Sequence, residues 1–215
     1  MGIKIESNVR YDQEQFKGVN LDRQQLSQAL FYECNFSDCS FVETSFAQCR
    51  FVGCDFQDCD LSLFNPGGSI FSGVSFSGSK LVGVDWTQAA WSETQIDTPV
   101  YFENCLLNHS TFFGLRLEQA RFSSCAARDV DFRECRLVRA DFRGTDLEKS
   151  LFSETDLTRA DLSQARNYAI NPQSNILQGA KFSLPEAISL LYNLDIELVE
   201  DGGLSDPGLE GSARR

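Results

Sequence analysis

The chain has 215 residues, enough for one domain, and its 31 acidic and 19 basic side chains give a formal net charge of −12. This balance argues against direct nucleic-acid binding, which requires a basic face. No apolar run approaches membrane-spanning length and no signal peptide opens the chain. We therefore expect a soluble, cytoplasmic protein that does not associate with a membrane.

The first segment, residues 1–15, is polar with a few β-branched side chains, Ile3, Ile5 and Val9. Such a segment is consistent either with a first strand that caps the domain or with a frayed terminus. We assign it as an N-terminal cap segment that precedes the regular part of the chain.

From residue 16 to residue 182 a large apolar residue recurs at nearly every fifth position. The pattern is clearest between residues 29 and 61, where the large residues are Phe31, Phe36, Phe41, Phe46, Phe51, Phe56 and Leu61. A small residue stands two positions before each of them, and the other three positions are mostly polar. A helix has a period of about 3.6 and a strand a period of about 2, so neither buries a period of five on one side.

A chain that turns a corner after every five residues does bury such a pattern. Four corners close a square coil of about twenty residues, and stacked coils form a solenoid. The large residue, called the centre below, fills the axis, and the small residue fits beside it. The sequence therefore predicts an all-β solenoid, a β-helix, over residues 16–182.

Two interruptions are visible in this register. Pro66 falls on a centre within an Asn-Pro-Gly-Gly sequence, which predicts a bulged corner with the register preserved on either side. Trp86, Trp91 and Ile96 are the last centres before the register moves by one residue, to Phe102. Indole is large for an axis sized for Phe or Leu, so we expect a widened coil there or one outward-facing tryptophan.

A regular solenoid cannot absorb an extra residue without a bulge or a loop. We therefore predict a loop near residues 91–101 that projects from the wall. Its candidate partner-binding residues are Ser92, Glu93, Thr94, Gln95, Ile96, Asp97 and Thr98. The alternative is a tolerated insertion with no function of its own.

Eight cysteines invite interpretation as disulfides or metal ligands, but each of them lies two residues before a centre. At that position Cys serves as a small buried apolar side chain. Cys34 and Cys54, one coil apart, would have parallel Cβ vectors about 4.8 Å apart, which is too long for an unstrained disulfide. We therefore expect eight structural thiols and no metal site.

The pattern changes after Phe182, where Ser183 and Glu186 form a capping-box sequence and apolar residues follow at helical spacing. We predict a helix and a short strand over residues 183–199. This segment offers more apolar surface than a cap for the last coil requires, which favours a homodimer interface over a cap alone. The interface residues would be Leu184, Ala187, Ile188, Leu191, Leu194, Ile196 and Leu198. Residues 200–215 have the composition of a disordered tail.

Candidates for catalysis are few. The single histidine, His109, is predicted to lie at the surface, and the sequence contains no nucleophile–histidine–acid set and no metal-ligand spacing. Asp141 and Asp161 stack on one face, where paired carboxylates could act in acid–base chemistry, but aspartate at this position is a general feature of the repeat. We therefore expect no enzyme activity, no catalytic residue and no cofactor, and we keep the two aspartates as partner-binding candidates.

Two further surface features follow from the register. Phe113 comes directly after a centre, so it should point outward, where it could anchor a partner. A group of arginines breaks the acidic surface, and the acids between them favour an ion-paired face over a phosphate site. This basic patch consists of Arg128, Arg133, Arg136, Arg139 and Arg143.

The five-residue pattern resembles the A(D/N)LXX motif of the pentapeptide-repeat family over about residues 16–182, and this resemblance implies a right-handed quadrilateral β-helix. A loop in the middle of the solenoid and a C-terminal helix that begins Phe-Ser-Leu-Pro-Glu-Ala at Phe182 resemble one branch of the family, the topoisomerase-protecting proteins. The segments 83–86, 102–105 and 194–198 are most similar to the albicidin-resistance member of that branch.

This second resemblance implies an acidic, rod-shaped homodimer that imitates duplex DNA and binds DNA gyrase or topoisomerase IV. Such a protein protects the enzyme from antibiotics of the fluoroquinolone or albicidin type, which trap cleaved DNA. Duplex DNA carries about one charge per 1.7 Å of its axis, and a regular solenoid can set carboxylates in rows. The alternative is a structural pentapeptide-repeat scaffold that binds another protein partner.

Overall fold

The computed structural model of the chain describes residues 4–91, 99–194 and 196. The predicted loop residues 92–98 therefore lie outside the described residues, as do Leu198 and the segment 200–215. Within the described residues the chain forms a four-walled solenoid of about eight coils. The predicted all-β solenoid is confirmed.

The walls contain fourteen short strands among the described residues: β1 (Arg10–Asp12), β2 (Gln15–Lys17), β3 (Gln25–Ser27), β4 (Leu30–Tyr32), β5 (Asn35–Ser37), β6 (Ser45–Ala47), β7 (Arg50–Val52), β8 (Asp55–Gln57), β9 (Ile70–Ser72), β10 (Ser75–Ser77), β11 (Tyr101–Glu103), β12 (Arg121–Ser123), β13 (Asp161–Leu162) and β14 (Lys181–Phe182). All of their pairings are parallel. One wall has the order β1-β4-β7-β9 and the next has β2-β5-β8-β10-β11-β12, while β3 pairs with β6 and β13 with β14.

Two 3₁₀ helices, Trp86–Gln88 and Glu186–Asn193, accompany these strands in the described part of the chain. The first is a single turn that precedes the register shift, and the second follows the last coil. Neither of them is long enough to cross a membrane, and no other helix of the described residues is a candidate.

Backbone hydrogen bonds hold each coil to the coils on both sides. Asp60 donates its N–H to the carbonyl of Cys39 at 2.9 Å, and Leu61 donates to Lys80 at 2.7 Å. Successive amides thus point to opposite neighbours, which pairs the polar backbone groups of the wall. The residue two after most centres turns the corner in the left-handed region, as Asp38 does at φ 54°, whereas Gln88, two after Trp86, lies in a 3₁₀ helix. This fixed corner is the physical origin of the period of five.

The centres fill the axis as columns of aromatic rings. Along the wall of the six-stranded sheet, successive ring centroids lie 4.5 to 5.3 Å apart with nearly parallel planes, and the column consists of Phe16, Phe36, Phe56, Phe76, Phe102, Phe122 and Phe142. Rings of adjacent walls meet edge to face, as Phe31 and Phe36 do at 5.4 Å. Both arrangements are favourable for aromatic quadrupoles.

The solenoid begins earlier than the sequence analysis predicted. Strand β1 pairs with β4, and the ring of Tyr11 stacks on Phe31 at 5.2 Å. Tyr11 is a large centre five residues before Phe16, and its hydroxyl donates to the carbonyl of Lys4 at 3.1 Å. Residues 10–15 therefore belong to the first coil rather than to a separate cap segment.

The bulge predicted at Pro66 does not form. The ladder continues through this corner, where Asn65 donates its N–H to the carbonyl of Thr44 at 2.9 Å. Phe64 occupies the position that holds a small residue elsewhere, and its buried ring meets Trp86 edge to face at 5.4 Å. The large Phe64 side chain lies beside the small centre Pro66, so the two together fill about the same volume as a small residue beside a large centre, and the wall does not need to widen.

The register shift is an insertion of six residues rather than one. Strand β10 pairs directly with β11, so 26 residues separate Phe76 from Phe102, whereas 20 separate Phe56 from Phe76. On the preceding side the coil is regular as far as Ala90, whose N–H donates to the carbonyl of Ser69 at 2.8 Å. The insertion therefore falls between Ala90 and Tyr101.

The two tryptophans beside the insertion have different surroundings. Trp86 is fully buried on the axis, where it stacks over Phe112 at 5.8 Å and meets Phe71 edge to face at 5.4 Å. Trp91 is half-buried, and its indole Nε1 donates to the carbonyl of Trp86 at 2.7 Å. Pro66 is the equivalent centre of the preceding coil, and because its side chain is smaller than that of Phe or Leu it leaves room for the indole of Trp86. The indole of Trp91 lies at the rim of the wall.

The capping box predicted at the C-terminal helix does not form. Ser183 Oγ accepts a hydrogen bond from the N–H of Gln164 at 3.1 Å, and Glu186 Oε1 accepts one from the N–H of Asn167. The helix that follows is 3₁₀ and has no side-chain cap. One coil earlier, the N–H groups at the positions equivalent to Gln164 and Asn167 donate to carbonyls of the following coil. No regular coil follows here, so the side chains of Ser183 and Glu186 accept these hydrogen bonds and cap the end of the solenoid rather than the helix.

Candidate partner-binding surface

The thiols are small buried side chains of the walls. All eight cysteines are free and buried, and their thiols reach back to carbonyls of the preceding coil, as Cys54 Sγ does to Phe31 O at 3.5 Å. Burial raises the pKa of Cys54 to about 12 and that of Cys135 to about 12. These positions are structural, as the register predicts.

The single histidine lies at the surface, beside Asp129. The side chain of His109 is 66% exposed, and its Nδ1 lies 3.9 Å from Asp129 Oδ2. Among the described residues, no group of His, Cys, Asp and Glu side chains has the arrangement of a metal site.

Asp141 and Asp161 lie side by side on the wall of the six-stranded sheet, as the register predicts. Both carboxylates are engaged with bases: Arg143 Nη2 lies 2.7 Å from Asp141 Oδ2, and Lys181 Nζ lies 3.4 Å from Asp161 Oδ2. Burial alone would raise the pKa of Asp141, but hydrogen bonds from Arg143 outweigh it and lower that pKa. Their charge is largely compensated, and their role in partner binding stays a prediction.

A row of less compensated carboxylates lies on the same wall, nearer the N-terminus. We call this row the acidic face; it consists of Asp38, Asp55, Asp58 and Glu103. All four are exposed, and within the described residues only Asp38 has an ion-pair partner, Lys17 Nζ at 3.7 Å. The sequence analysis missed these residues, although sorting the acids and bases by wall would have found them.

The acidic face spans four successive coils, three of which contribute a carboxylate: Asp38 lies in the first, Asp55 and Asp58 lie in the second, and Glu103 lies in the fourth. Asp38 and Asp58 occupy the same corner one coil apart, at φ 54° and 52°. Gly78 follows them in this column, and a Cβ built on it would lie 2.5 Å from Asp58 Oδ1. The glycine therefore leaves space for the Asp58 carboxylate. The wall has two halves, an acidic half near the N-terminus and an ion-paired half beyond Arg121.

Phe113 points outward, as its register position predicts. Its side chain is 40% exposed, and the same wall also exposes Leu151, at 48%. The guanidinium carbon of Arg133 lies 5.7 Å from the ring centroid, within the range of a cation–π contact. Arg133 is also held by Asp131 at 2.7 Å, so the aromatic ring and the ion pair form one surface cluster. Partner anchoring by Phe113 stays a prediction.

Most of the basic patch is ion-paired, as the sequence analysis predicts. The pairs are Arg128 with Asp146 at 2.7 Å, Arg133 with Asp131 at 2.7 Å, Arg136 with Glu118 at 2.9 Å and Arg143 with Asp141 at 2.7 Å. Arg139 is the exception, because its side chain has no such partner among the described residues.

The end of the solenoid exposes a set of large apolar side chains. We call it the apolar cap patch; it consists of Leu184, Ile188, Leu191, Tyr192 and Ile196. Leu184 is 80% exposed and Tyr192, which the sequence analysis missed, is 71% exposed. Of the other predicted interface residues, Ala187 and Leu194 are half-buried. Leu190 packs against the core and is not part of the patch. A 3₁₀ helix has three residues per turn, so Leu190 shares a face with Ala187, whereas Ile188 and Leu191 share the exposed face.

Comparison with known families identifies the repeat. The sequence profile described as "Pentapeptide repeat region" matches residues 9–86 and 84–162. The chain belongs to the pentapeptide-repeat family. The first match begins beside β1, which agrees with the early start of the solenoid. A comparison with curated protein sequences found no match.

Solved structures of other pentapeptide-repeat proteins share the fold. One is a trypsin-treated variant of QnrB1, a plasmid-mediated fluoroquinolone resistance protein, with a TM-score of 0.66 and 18% identity over 89% of this chain and 100% of that one. Another is HetL, a pentapeptide repeat protein involved in heterocyst differentiation regulation from the cyanobacterium Nostoc sp. strain PCC 7120, with a TM-score of 0.66 and 17% identity over 81% of this chain and 85% of that one. Full-length QnrB1 has a TM-score of 0.56 and 20% identity over 87% of this chain and 100% of that one.

Proposed function

We propose that this pentapeptide-repeat protein is a homodimer that binds DNA gyrase and protects it from antibiotics that trap cleaved DNA. Topoisomerase IV is a second candidate target, and the drug is of the fluoroquinolone or albicidin type. The protein acts as a binder and not as an enzyme, and it needs no cofactor. Protection requires only that binding favours one state of the topoisomerase over the drug-trapped state.

The acidic face is the observation that supports this proposal. Four carboxylates lie on three of four successive coils of one wall, and Lys17 is the only base paired with them among the described residues. Coils rise by about 4.8 Å, whereas the phosphates of one DNA strand are about 3.4 Å apart along the axis. The acidic face therefore averages about one carboxylate per coil rise, which is sparser than one DNA strand but of the same order of magnitude, and the charge averaged over the whole solenoid is sparser still.

The apolar cap patch supports the homodimer. A patch of five large apolar side chains is costly in water, and its place at the end of the solenoid lets two copies join end to end. Such a dimer has an isologous interface and presents two acidic faces. Two rods joined in this way give a longer charged surface than either rod alone, as a mimic of duplex DNA requires.

The proposal is tested by measuring supercoiling by gyrase with a fluoroquinolone or albicidin, with and without the protein. We expect the protein to restore supercoiling in the presence of one of these drugs and to reduce the amount of cleaved DNA. A drug-free reaction at the same protein concentration measures direct inhibition, and topoisomerase IV decatenation measures preference for the target. Unchanged supercoiling with both drugs at low salt would contradict the proposal.

A second candidate is a structural scaffold that binds an unrelated protein partner. HetL matches this chain with the same TM-score as the QnrB1 variant, and its described role is in differentiation regulation. The fold therefore serves more than one function. A scaffold would leave drug-treated gyrase unprotected, so the same assay separates the two candidates.

A further inference from the structure

A groove of about 290 Å³ runs along a different wall from the acidic face, in the C-terminal half of the solenoid. It spans successive coils, because its lining includes Gln119, Arg139 and Arg159 from one corner column and Thr158 and Gln178 from the adjacent column. Arg139 and Arg159 occupy equivalent corners one coil apart, at φ 59° and 58°.

These two arginines are stacked without a carboxylate between them. Among the described residues, neither guanidinium has a hydrogen-bond or ion-pair partner, although the other four arginines of the basic patch are paired. Equivalent positions of successive coils are about 4.8 Å apart along the backbone, so two unpaired cations in one corner column lie within the screening length of physiological salt and repel each other. Two adjacent uncompensated cations in a chain of net charge −12 therefore need a reason.

One carboxylate, that of Glu118, lines the groove. Its Oε1 is held by Arg136 Nε at 2.9 Å and by Arg116 Nη2 at 3.5 Å, and its buried Oε2 has no hydrogen-bond partner among the described residues, so this carboxylate pairs with neither Arg139 nor Arg159. Below Arg159 the corner column continues with Gly179, where a built Cβ would lie 3.3 Å from Arg159 Cγ. The glycine thus leaves room for the arginine stem, and the hydroxyl of Thr158 and the amides of Gln119 and Gln178 add neutral donors.

We propose that this groove binds a phosphate-type oxyanion between the guanidinium groups of Arg139 and Arg159. Two guanidinium forks that approach from successive coils suit a tetrahedral anion, which offers oxygens in several directions, better than a planar carboxylate. The anion would neutralise the stacked cations, and the neutral side chains would bind its remaining oxygens. The inference does not rest on the proposed topoisomerase function, because it concerns a different wall.

Isothermal titration calorimetry of the full chain with sodium phosphate, at constant ionic strength, tests this site. We expect one phosphate per chain, binding of sulfate as well, and no measurable binding of acetate. Arg139→Gln and Arg159→Gln should each weaken phosphate binding about tenfold or more, since each removes charged hydrogen bonds. O-phosphoserine is a further arm: binding at least as tight as inorganic phosphate assigns the site to a phosphate monoester, and weaker binding assigns it to the free ion.

Lys149→Gln is the matched control. Lys149 occupies the same corner position of its repeat, at φ 58°, is exposed, and has no ion pair among the described residues, but it lies on another wall. The Lys149→Gln variant should bind phosphate as tightly as the parent. Both arginine variants should unfold at or above the melting temperature of the parent, because the repulsion between the two arginines is relieved. No saturable phosphate binding by the parent, an equal loss in the lysine variant, or equally tight acetate binding would overturn the proposal.

Discussion

At the scale of single residues, each position of the five-residue repeat has its own physical requirement. The centre must be large and apolar, and the residue two before it must be small unless the centre itself is small, as Phe64 and Pro66 show. The corner residue must adopt a positive φ, although L-residues disfavour this region by about 1 kcal/mol. The corner N–H donates to the next coil, as Asp38 does to Gln57 at 3.1 Å, which offsets that cost.

The first prediction concerns a centre. Phe142 is fully buried and stacks on Phe122 at 4.9 Å, so Phe142→Ala should lower the free energy of unfolding by about 3–5 kcal/mol. Phe113→Ala is the matched control, because Phe113 is 40% exposed, and it should change stability by less than about 0.5 kcal/mol. Urea unfolding followed by circular dichroism measures both. Equal effects of the two substitutions would show that the register is wrong.

The second prediction concerns a buried carboxylate. Asp146 is 1% exposed, and its carboxylate accepts hydrogen bonds from Arg128 Nη2 at 2.7 Å and Asn167 Nδ2 at 2.8 Å. Burial alone would raise the pKa of Asp146, but these hydrogen bonds outweigh it and lower that pKa. Asp146→Asn should therefore cost about 1–3 kcal/mol at neutral pH, because it leaves the partners without a carboxylate.

The sign of the pH dependence follows from the lowered pKa of Asp146. A carboxyl group with a depressed folded-state pKa stabilises the fold above its unfolded pKa of about 3.9, and this stability is lost as the pH falls through the folded pKa. The stability difference between the parent and Asp146→Asn should therefore shrink as the pH falls below about 4. Glu134→Gln, at an exposed corner, is the control. A difference that stays constant from pH 7 to pH 3 would contradict the prediction.

At the scale of elements, the solenoid tolerates an insertion because its backbone ladder closes on both sides of it. The aromatic column passes directly from Phe76 to Phe102 at 5.2 Å. The inserted residues therefore contribute nothing to the stacking of this column, and their removal should leave the two walls in register.

The third prediction is that deletion of residues 92–97 restores a coil of twenty residues and keeps the fold. A deletion of one residue, which the five-residue pattern alone suggests, would leave five extra residues in the coil. Circular dichroism and thermal unfolding measure whether the six-residue deletion remains folded. In the supercoiling assay it should lose drug protection if the segment binds the topoisomerase, and full protection by a folded deletion variant would identify a tolerated insertion.

The fourth prediction concerns the apolar cap patch. Leu184→Asp with Ile188→Asp should convert a dimer into a monomer, because two charges would be buried in an apolar interface. Sedimentation velocity measures the change. Leu63→Asp with Leu106→Asp is the control, since these leucines are 55% and 41% exposed on a side wall. A monomeric parent, or an equal loss of dimer in the control, would contradict the interface.

The sequence predicts the solenoid but not the size of its insertion, and the reason is arithmetic. Insertions of one residue and of six residues differ by five, which is one full repeat, so both move the later centres to the same register. The register of Phe102 therefore could not distinguish the two insertions. Only the pairing of β10 with β11 counts the residues. Similarly, the capping-box sequence at Ser183 and Glu186 is satisfied by the last coil, because tertiary contacts decide which N–H groups lie within reach.

The candidate surface was predicted in part for a related reason. The register places Asp141 and Asp161 correctly on one wall, but it does not reveal that Arg143 and Lys181 neutralise them. Charge pairing in this fold links residues that are two positions apart or 18 to 21 positions apart, so a count of acids along the chain misses it. The acidic face was overlooked because its members are far apart in sequence.

At the scale of the whole molecule, the charge of the protein is distributed unevenly. One wall is acidic near the N-terminus and ion-paired beyond Arg121, while the adjacent wall carries the uncompensated Arg139 and Arg159. An acidic partner surface on a rigid rod gains association rate and specificity from its field, and both fall as salt increases. A DNA mimic must therefore bind through the acidic wall and in competition with DNA.

Competition with duplex DNA for gyrase tests this central claim most directly. The parent protein should displace labelled DNA from gyrase at low salt, with less displacement as salt increases. Asp38→Asn with Asp58→Asn should weaken displacement, whereas the control Glu134→Gln with Glu154→Gln removes the same charge from equivalent corners of another wall and should match the parent. If the parent displaces no DNA at any salt concentration, or if both double variants displace it equally well, the acidic face is not a DNA mimic.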